Sequence, residues 1–310
     1  MDEFELINTY FVPLSSSESQ FLKNDGGVFK PKSNLEYVVS TDTIIESIHF
    51  KGDESPDMIA KKALRTNLSD LAAMGAVPEF YSLALSLPKS KANDFIQYFV
   101  KGLSEDQNEF NIKLLGGDLT ASPDFISITI SIIGSVPTGE ALSRSGSKVN
   151  DLLYVTGTLG LSNIGLLNLY SKDTQFSEAK SRYFLPQPRI KFSTSIRKYV
   201  SSMIDISDGF IQDCSHLAKS SDLEFVIDLK DLPICNIEIL SYDERIKSAL
   251  IGGDDYELLF TIPPTYKKKI EDAANFCGLK LTNVGFVRSG KNGKVTSNNS
   301  TINIDAYKHF

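Results

Sequence analysis

The chain has 310 residues, 41% of them hydrophobic and 23% charged, an ordinary globular composition with length for about two domains. Its 32 basic and 39 acidic residues leave a net charge of -7 without any run of Lys and Arg, so no nucleic-acid partner is expected. Three widely spaced cysteines, an acidic N-terminus and the lack of an apolar stretch of about 20 residues exclude a disulfide framework, a zinc knuckle, a signal peptide and a membrane span, which predicts a soluble, cytoplasmic protein.

Asp2 to Tyr10 carries Phe4, Ile7 and Phe11 at helical spacing. Asn24-Asp25-Gly26-Gly27 then reads as a hairpin turn, with strands expected near 26–30 and over 35–46. Ile59, Ala63, Leu64, Leu68 and Leu71 recur with period 3.6 and predict a helix from Pro56 to Ala76. A strand over 80–87, a helix over 91–110, a short apolar run at 112–115 and an alternating strand over 125–136 complete a first domain, residues 1–137. The Pro-, Gly- and Ser-rich segment 135–151 is the expected junction. In the second domain, residues 148–310, strands are predicted at 152–156, 203–206, 224–229, 257–262 and 281–287. Helical segments are predicted near 160–170, 174–184, 189–200, 209–219 and 264–277. Both halves mix helices and strands without long βαβ repetition, so the expected class is α+β.

Acids recur at special places along this pattern. Ser40-Thr41-Asp42 interrupts a β-branched run; an unpaired buried charge is costly, so Asp42 either ends a strand, faces a cation or simply points outward. Asp70 lies among small apolar residues one helical turn from Asn67. Gly116-Gly117-Asp118 and Gly252-Gly253-Asp254 each follow an apolar run, which predicts a carboxylate at a strand terminus where backbone can approach a ligand. Met203 to Gly209 reads as an extended strand with Asp205 and Asp208 on one side, running into a helix that Asp208 could alternatively cap. So many oxygen donors, with no Cys or His cluster, point to Mg²⁺ and nucleotide phosphates rather than to zinc hydrolysis. Gly285 to Lys291 has P-loop spacing, but Asn292 stands where Ser or Thr would bind the metal, and a turn rather than a helix follows.

In this order, STDTIIESIHF, NLSDLAAMGA, GGD, LSRSG, IDISDG and GGDDYELLF resemble the thiamine-monophosphate kinase family of the aminoimidazole ribonucleotide synthetase-like superfamily, from about Phe4 to Phe310. The resemblance implies two mixed α/β domains of that type, with the N-terminal sheets pairing across a homodimer. It also implies phosphorylation of thiamine monophosphate to thiamine diphosphate by direct in-line transfer, with ATP as co-substrate and several Mg²⁺ ions. By motif matching, Asp25, Ser40, Thr41, Asp42, Asp70, Asp118, Asp205 and Asp208 are the implied metal ligands, with Asp42, Asp118 and Asp208 in catalytic roles. Gly117, Asp118, Arg144 and Ser207 are implied for ATP, and His49, Asp254 and Tyr307 for thiamine phosphate. On this reading the opening turn presents Asp25 to metal ions near Asp42, Asp70 and Asp205. A phosphate-oxygen acceptor is already ionised near neutral pH, so no strong general base is required. Asn24-Asp25 departs from the family's usual paired acids, and Ser47 from a usual Gly. The alternatives are another ATP-using enzyme of the superfamily or a non-catalytic nucleotide-binding relative; selenophosphate synthesis would call for an N-terminal Cys, yet the first here is Cys214.

Overall fold

The computed structural model describes residues 1–290, 293–297, 300 and 301, and the chain divides into two compact units. One comprises Met1–Leu71 with Ala76–Gly139, the other Ala72–Gly75 with Glu140–Phe310.

The first unit opens with α1 (Glu3–Leu6), which Asp2 caps in a reciprocal box with Glu5. It continues through β1 (Leu35–Ile45), α2 (Pro56–Ala73, up to Leu71), β2 (Val77–Pro88), α3 (Ala92–Phe110), β3 (Lys113–Ser122) and β4 (Ser127–Pro137). The sheet runs β1-β4-β2-β3, antiparallel except for β2 and β3, which α3 connects as a parallel pair. One pleat face is buried through Leu83, Leu85, Ile128, Ile130 and Ile132, while Leu64, Leu68, Ile96 and Phe99 of the two long helices are also fully buried. The opposite pleat face carries small hydroxyls: Thr41 Oγ1 donates to Ser131 Oγ at 2.9 Å, and Thr43 and Thr129 hydroxyls lie 2.8 Å apart.

Two expectations fail here. Residues 26–30 form no strand, so the Asn24–Gly27 turn is not a hairpin turn. The reversal is instead made by Gln20, Phe21 and Leu22, all left-handed with φ of 51, 55 and 57°, after which the Val28 N–H donates to the Glu18 carbonyl at 2.6 Å. Turn chemistry marks a bend but does not supply a neighbouring strand. Gly116-Gly117-Asp118 also lies inside β3 rather than at its end. The strand tolerates Gly117 because a Cβ there would sit 2.0 Å from the Leu83 carbonyl oxygen of β2. Gly117→Ala is therefore expected to destabilise the unit by about 1 to 3 kcal/mol through overpacking. A urea midpoint equal to wild type by circular dichroism would count against it.

The second unit contains β5 (Leu152–Thr156), α4 (Leu161–Leu167), α5 (Ser177–Phe184), α6 (Ile190–Ile196), β6 (Ser202–Asp205) and α7 (Phe210–Ser221). There follow β7 (Glu224–Ile227), α8 (Tyr242–Ile251), β8 (Leu258–Ile262), α9 (Lys267–Phe276), β9 (Leu281–Arg288), β10 (Val295–Ser297) and β11 (Ser300–Thr301). The sheet order is β11-β10-β7-β9-β5-β8-β6, with β7 and β10 parallel. Successive β5 residues serve two cores: Leu153 and Val155 join Phe210, Cys214, Leu217 and Phe225, whereas Tyr154 joins Phe192, Ile196, Phe260 and Ile270. Both units mix helices with mixed sheets, which is the α+β class.

Helix α8 is an addition to the sequence reading, although Ser241 and Glu244 form the capping box that starts it. Gly252-Gly253-Asp254 consequently follows a helix, not a strand. Strand β6 stops at Asp205, so Asp208 lies beyond the strand and shares no pleat face with it. Nor does Asp208 cap α7: the cap position is Gly209, at φ 114°, without a side-chain bond. Gly285 and Arg288 lie within β9, while Lys291 and Asn292 lie outside the described residues. Among the described residues no helix is long and apolar enough to cross a membrane.

Candidate active site

In the first unit, β1 is an edge strand, and among the described residues one side of its backbone has no strand partner. Helix α2 fills that role near Asp42: Asn67 Nδ2 is held by the Ala63 carbonyl at 3.0 Å, and Asn67 Oδ1 accepts from the Asp42 N–H at 3.1 Å. Two residues before Asp42 and on the same pleat face, Ser40 donates to Asp70 Oδ2 at 2.6 Å. Burial, with the Asp70 charge adding to it, pushes the Asp42 carboxyl up to about 6. The structure thus brings Ser40, Asp42 and Asp70 together. The Thr41 hydroxyl points to the other face, at Ser131. His49 follows in the turn after β1; its Nδ1 accepts from the Ile45 N–H at 3.1 Å, which leaves the ring proton on Nε2 of the neutral form.

Asp25 and Asp118, both exposed, share a pocket of about 170 Å³ with Asn24 and Gly117, walled by Ile7, Phe11 and Leu115. Thr120 Oγ1 donates to Asp118 Oδ2 at 2.7 Å. The ladder register separates this pair from Asp42. Asp42 stands opposite Ile130, Ile130 opposite Leu83, and Leu83 opposite Gly117. Three strand spacings are about 14 Å, and Asp118, one residue on, belongs to the pleat face of Ala84, Thr129 and Thr43. Within one chain, therefore, Asp25 does not join Asp42 and Asp70, contrary to the shared-metal expectation, because strand order places them at opposite sheet edges.

In the second unit, Asp205 is 5% exposed at the end of β6, and Ser207 and Asp208 occupy the turn into α7. Asp208 accepts from Gln212 Nε2 at 2.8 Å, while its own N–H donates to Asp213 Oδ2 at 3.1 Å. One ligand atom each from Asp208, Asp213 and His216 lies within 4.8 Å of the others. Burial, then the charges of Asp205 and Asp208, pushes the Asp213 carboxyl up to about 8, with Arg144 pulling the other way. Burial and the nearby Arg144 and Lys219 hold the His216 imidazole below its usual range. Exposed Arg144 thus acts on this acid group from the Ser- and Gly-rich loop, whose Ser143 carbonyl accepts from the Met203 N–H at 3.0 Å. Asp254 joins the same stretch, its N–H donating to the Ser207 carbonyl at 2.9 Å. Tyr307 lies outside the described residues.

Residues 23–136 match the family model described as AIR synthase related protein, N-terminal domain, and residues 148–298 match AIR synthase related protein, C-terminal domain. Over 322 residues the chain is 36% identical to the thiamine-monophosphate kinase of Escherichia coli (strain K12), covering 99% of this chain and 98% of that protein. The chain belongs to the thiamine-monophosphate kinase family. In structure it is similar to thiamine-monophosphate kinase from Stenotrophomonas maltophilia K279a, with a TM-score of 0.85, 32% identity and 91% of each chain covered. It is also similar to AaThiL complexed with AMPPCP and TMP, with a TM-score of 0.81 and 28% identity over 99% of this chain and 97% of that one.

The hard divalent cations that thiamine-monophosphate kinase motifs imply suit the donors present. Asp42 and Asp70 set two carboxylates and the Ser40 hydroxyl side by side, and the resulting charge repulsion is what a cation relieves. Sequence reasoning missed Asp213 and His216. Their signal is the spacing Asp213 to His216, three residues apart on one helix face, in a helix that begins directly after the Asp208 turn.

Proposed function

We propose that this chain phosphorylates thiamine monophosphate to thiamine diphosphate at the expense of ATP, by direct in-line transfer between phosphate oxygens. Membership of the thiamine-monophosphate kinase family supports this reading, as does the likeness to a relative complexed with AMPPCP and TMP. The observation that carries it is that each unit holds an acid group of its own, Ser40-Asp42-Asp70 in the first and Asp205-Asp208-Asp213 in the second, the latter with Arg144 at hand. Acid groups of this kind suit a reaction whose two substrates are both polyanions, provided cations mediate.

Asp42, Asp70, Asp205 and Asp208, with Ser40, would hold Mg²⁺, which when bound screens phosphate charge and orients the γ-phosphoryl group. The chain's own residues supply the rest. Arg144 would contact ATP phosphate from its loop, and Ser207 and Gly117 would approach the nucleotide. The His49 Nε2–H would donate to the thiamine phosphate, and Asp254 would set a negative charge near the thiazolium. Tyr307 would give that ring an aromatic face. No residue need remove a proton, since the attacking oxygen is already ionised.

Two copies pairing through the first unit's sheet complete this picture. Asp118 stands about 14 Å across the sheet from the Asp42 row, and no ion bound at about 2.1 Å spans that. The small, hydroxyl-bearing open face, to which Asp118 belongs, suits such a pairing.

Purified protein with MgATP should convert thiamine monophosphate, but not thiamine, to a product that chromatography identifies as thiamine diphosphate, with one ADP released per turnover. Equal use of thiamine, or no product across metals and pH, would refute the assignment.

A further inference from the structure

Asp254-Asp255-Tyr256-Glu257 alternates inward and outward. Asp255 and Glu257 are 3% and 0% exposed, while Asp254 and Tyr256 are half-buried. Asp254 and Tyr256 also have left-handed backbone, at φ 67° and 49°, a region costly for an aromatic residue and retained only where the surroundings over-determine it. Here they do. The Asp254 N–H donates to the Ser207 carbonyl at 2.9 Å and the Tyr256 N–H to the Ile206 carbonyl at 2.8 Å, which ties the turn to the stretch bearing Asp205 and Asp208. Below, the Asp255 carboxyl accepts from the Gly160 N–H at 2.7 Å. Glu257 accepts from Thr156 Oγ1 at 2.6 Å and pairs with Arg182 and Arg189. Within this clamp the Tyr256 hydroxyl donates to Asp254 Oδ1 at 3.1 Å.

We propose that Tyr256 is a positioning residue that fixes the plane of the Asp254 carboxylate and thereby sets affinity for a cationic, phosphorylated ring substrate of the thiamine-monophosphate class. This rests on the reading above that Asp254 meets that substrate. A carboxylate on a short side chain turns readily about its last bond, and a charge-assisted hydrogen bond restricts that turning. The strain at both residues then has a use, since relaxing either φ would separate hydroxyl from carboxylate.

Tyr256→Phe removes one oxygen and keeps the ring. It is expected to raise KM for thiamine monophosphate about five- to tenfold, with kcat and KM for MgATP unchanged. A merely structural role would instead lower the melting temperature and the active fraction without splitting the two KM values. Asp254→Gly, chosen because glycine adopts this φ without strain, should raise the same KM further, and adding Tyr256→Phe to it should change nothing more. A wild-type KM in Tyr256→Phe overturns the proposal, as does a Tyr256→Phe effect that multiplies in full onto Asp254→Gly. If Asp254→Gly itself keeps a wild-type KM, the reading of Asp254 fails and the proposal falls with it. Calorimetric titration with thiamine monophosphate reads the same pattern as Kd, so a chain that binds without turnover decides the matter too: the coupled shift supports the proposal and a flat Kd overturns it.

Discussion

Asp42→Asn is expected to lower kcat by about 10³-fold, roughly 4 kcal/mol of barrier, while leaving the metal-free protein no less stable than wild type. The two effects have one cause. Asp42 and Asp70 are partly buried carboxylates, and burial first, then repulsion by the Asp70 charge, pushes the Asp42 carboxyl up to about 6. Neutralising one relieves that repulsion and is expected to stabilise the cation-free protein by about 1 kcal/mol, or about 2 to 4 °C. The isosteric Asn leaves the backbone bond from Asp42 N–H to Asn67 in place, so the strand-helix junction survives. Magnesium reverses the order: wild type should gain stability with added Mg²⁺ by mass action, and the variant much less. Thermal melts in EDTA and in MgCl₂, beside steady-state turnover, read all three quantities. A variant that melts several degrees lower in EDTA would show that Asp42 is a structural anchor, and near-normal kcat would remove it from the site.

Much of this site is legible in sequence because its parts are local. The period-3.6 pattern of α2 and the polar interruption of β1 are both read within a few residues, and Asn67 and Asp70 are placed one turn apart by the helix alone. What local patterns do not carry is strand order. Asp42 and Asp118 look equivalent as acids in apolar runs, yet the β1-β4-β2-β3 arrangement sends them to opposite edges and opposite pleat faces. The same limit explains Gly117, whose neighbour across β2 demands a missing Cβ, and Asn24–Gly27, where turn residues have no second strand to turn into. Asp213 escaped for another reason. Its acidity looks like an ordinary first-turn residue until the Asp208 N–H is seen to bond to it.

The largest effect on stability is expected at Glu257, which sequence pattern presents as an ordinary first residue of the strand predicted over 257–262 and which directly precedes β8. It is 0% exposed, accepts from Thr156 Oγ1 at 2.6 Å and from Arg189 Nε at 2.8 Å, and forms further bonds to Arg182. Glu257→Ala would leave two guanidinium groups, with side chains only 12% and 17% exposed, without the carboxylate that both of them bind. Removing one partner of such a buried network costs about 3 to 5 kcal/mol, whereas the intact network gains little over a packed apolar cluster. Two outcomes separate those terms. Glu257→Ala should shift the urea midpoint far below wild type, followed by circular dichroism because the chain has no Trp. Replacing Arg182, Arg189 and Glu257 together by Met should recover most of the loss. An unshifted midpoint in Glu257→Ala would mean that water reaches the two arginines. If the triple variant is stable yet binds thiamine monophosphate poorly, the charges serve less to hold the unit together than to keep the strained Asp254–Tyr256 turn in its left-handed geometry, which a nonspecific apolar cluster cannot do.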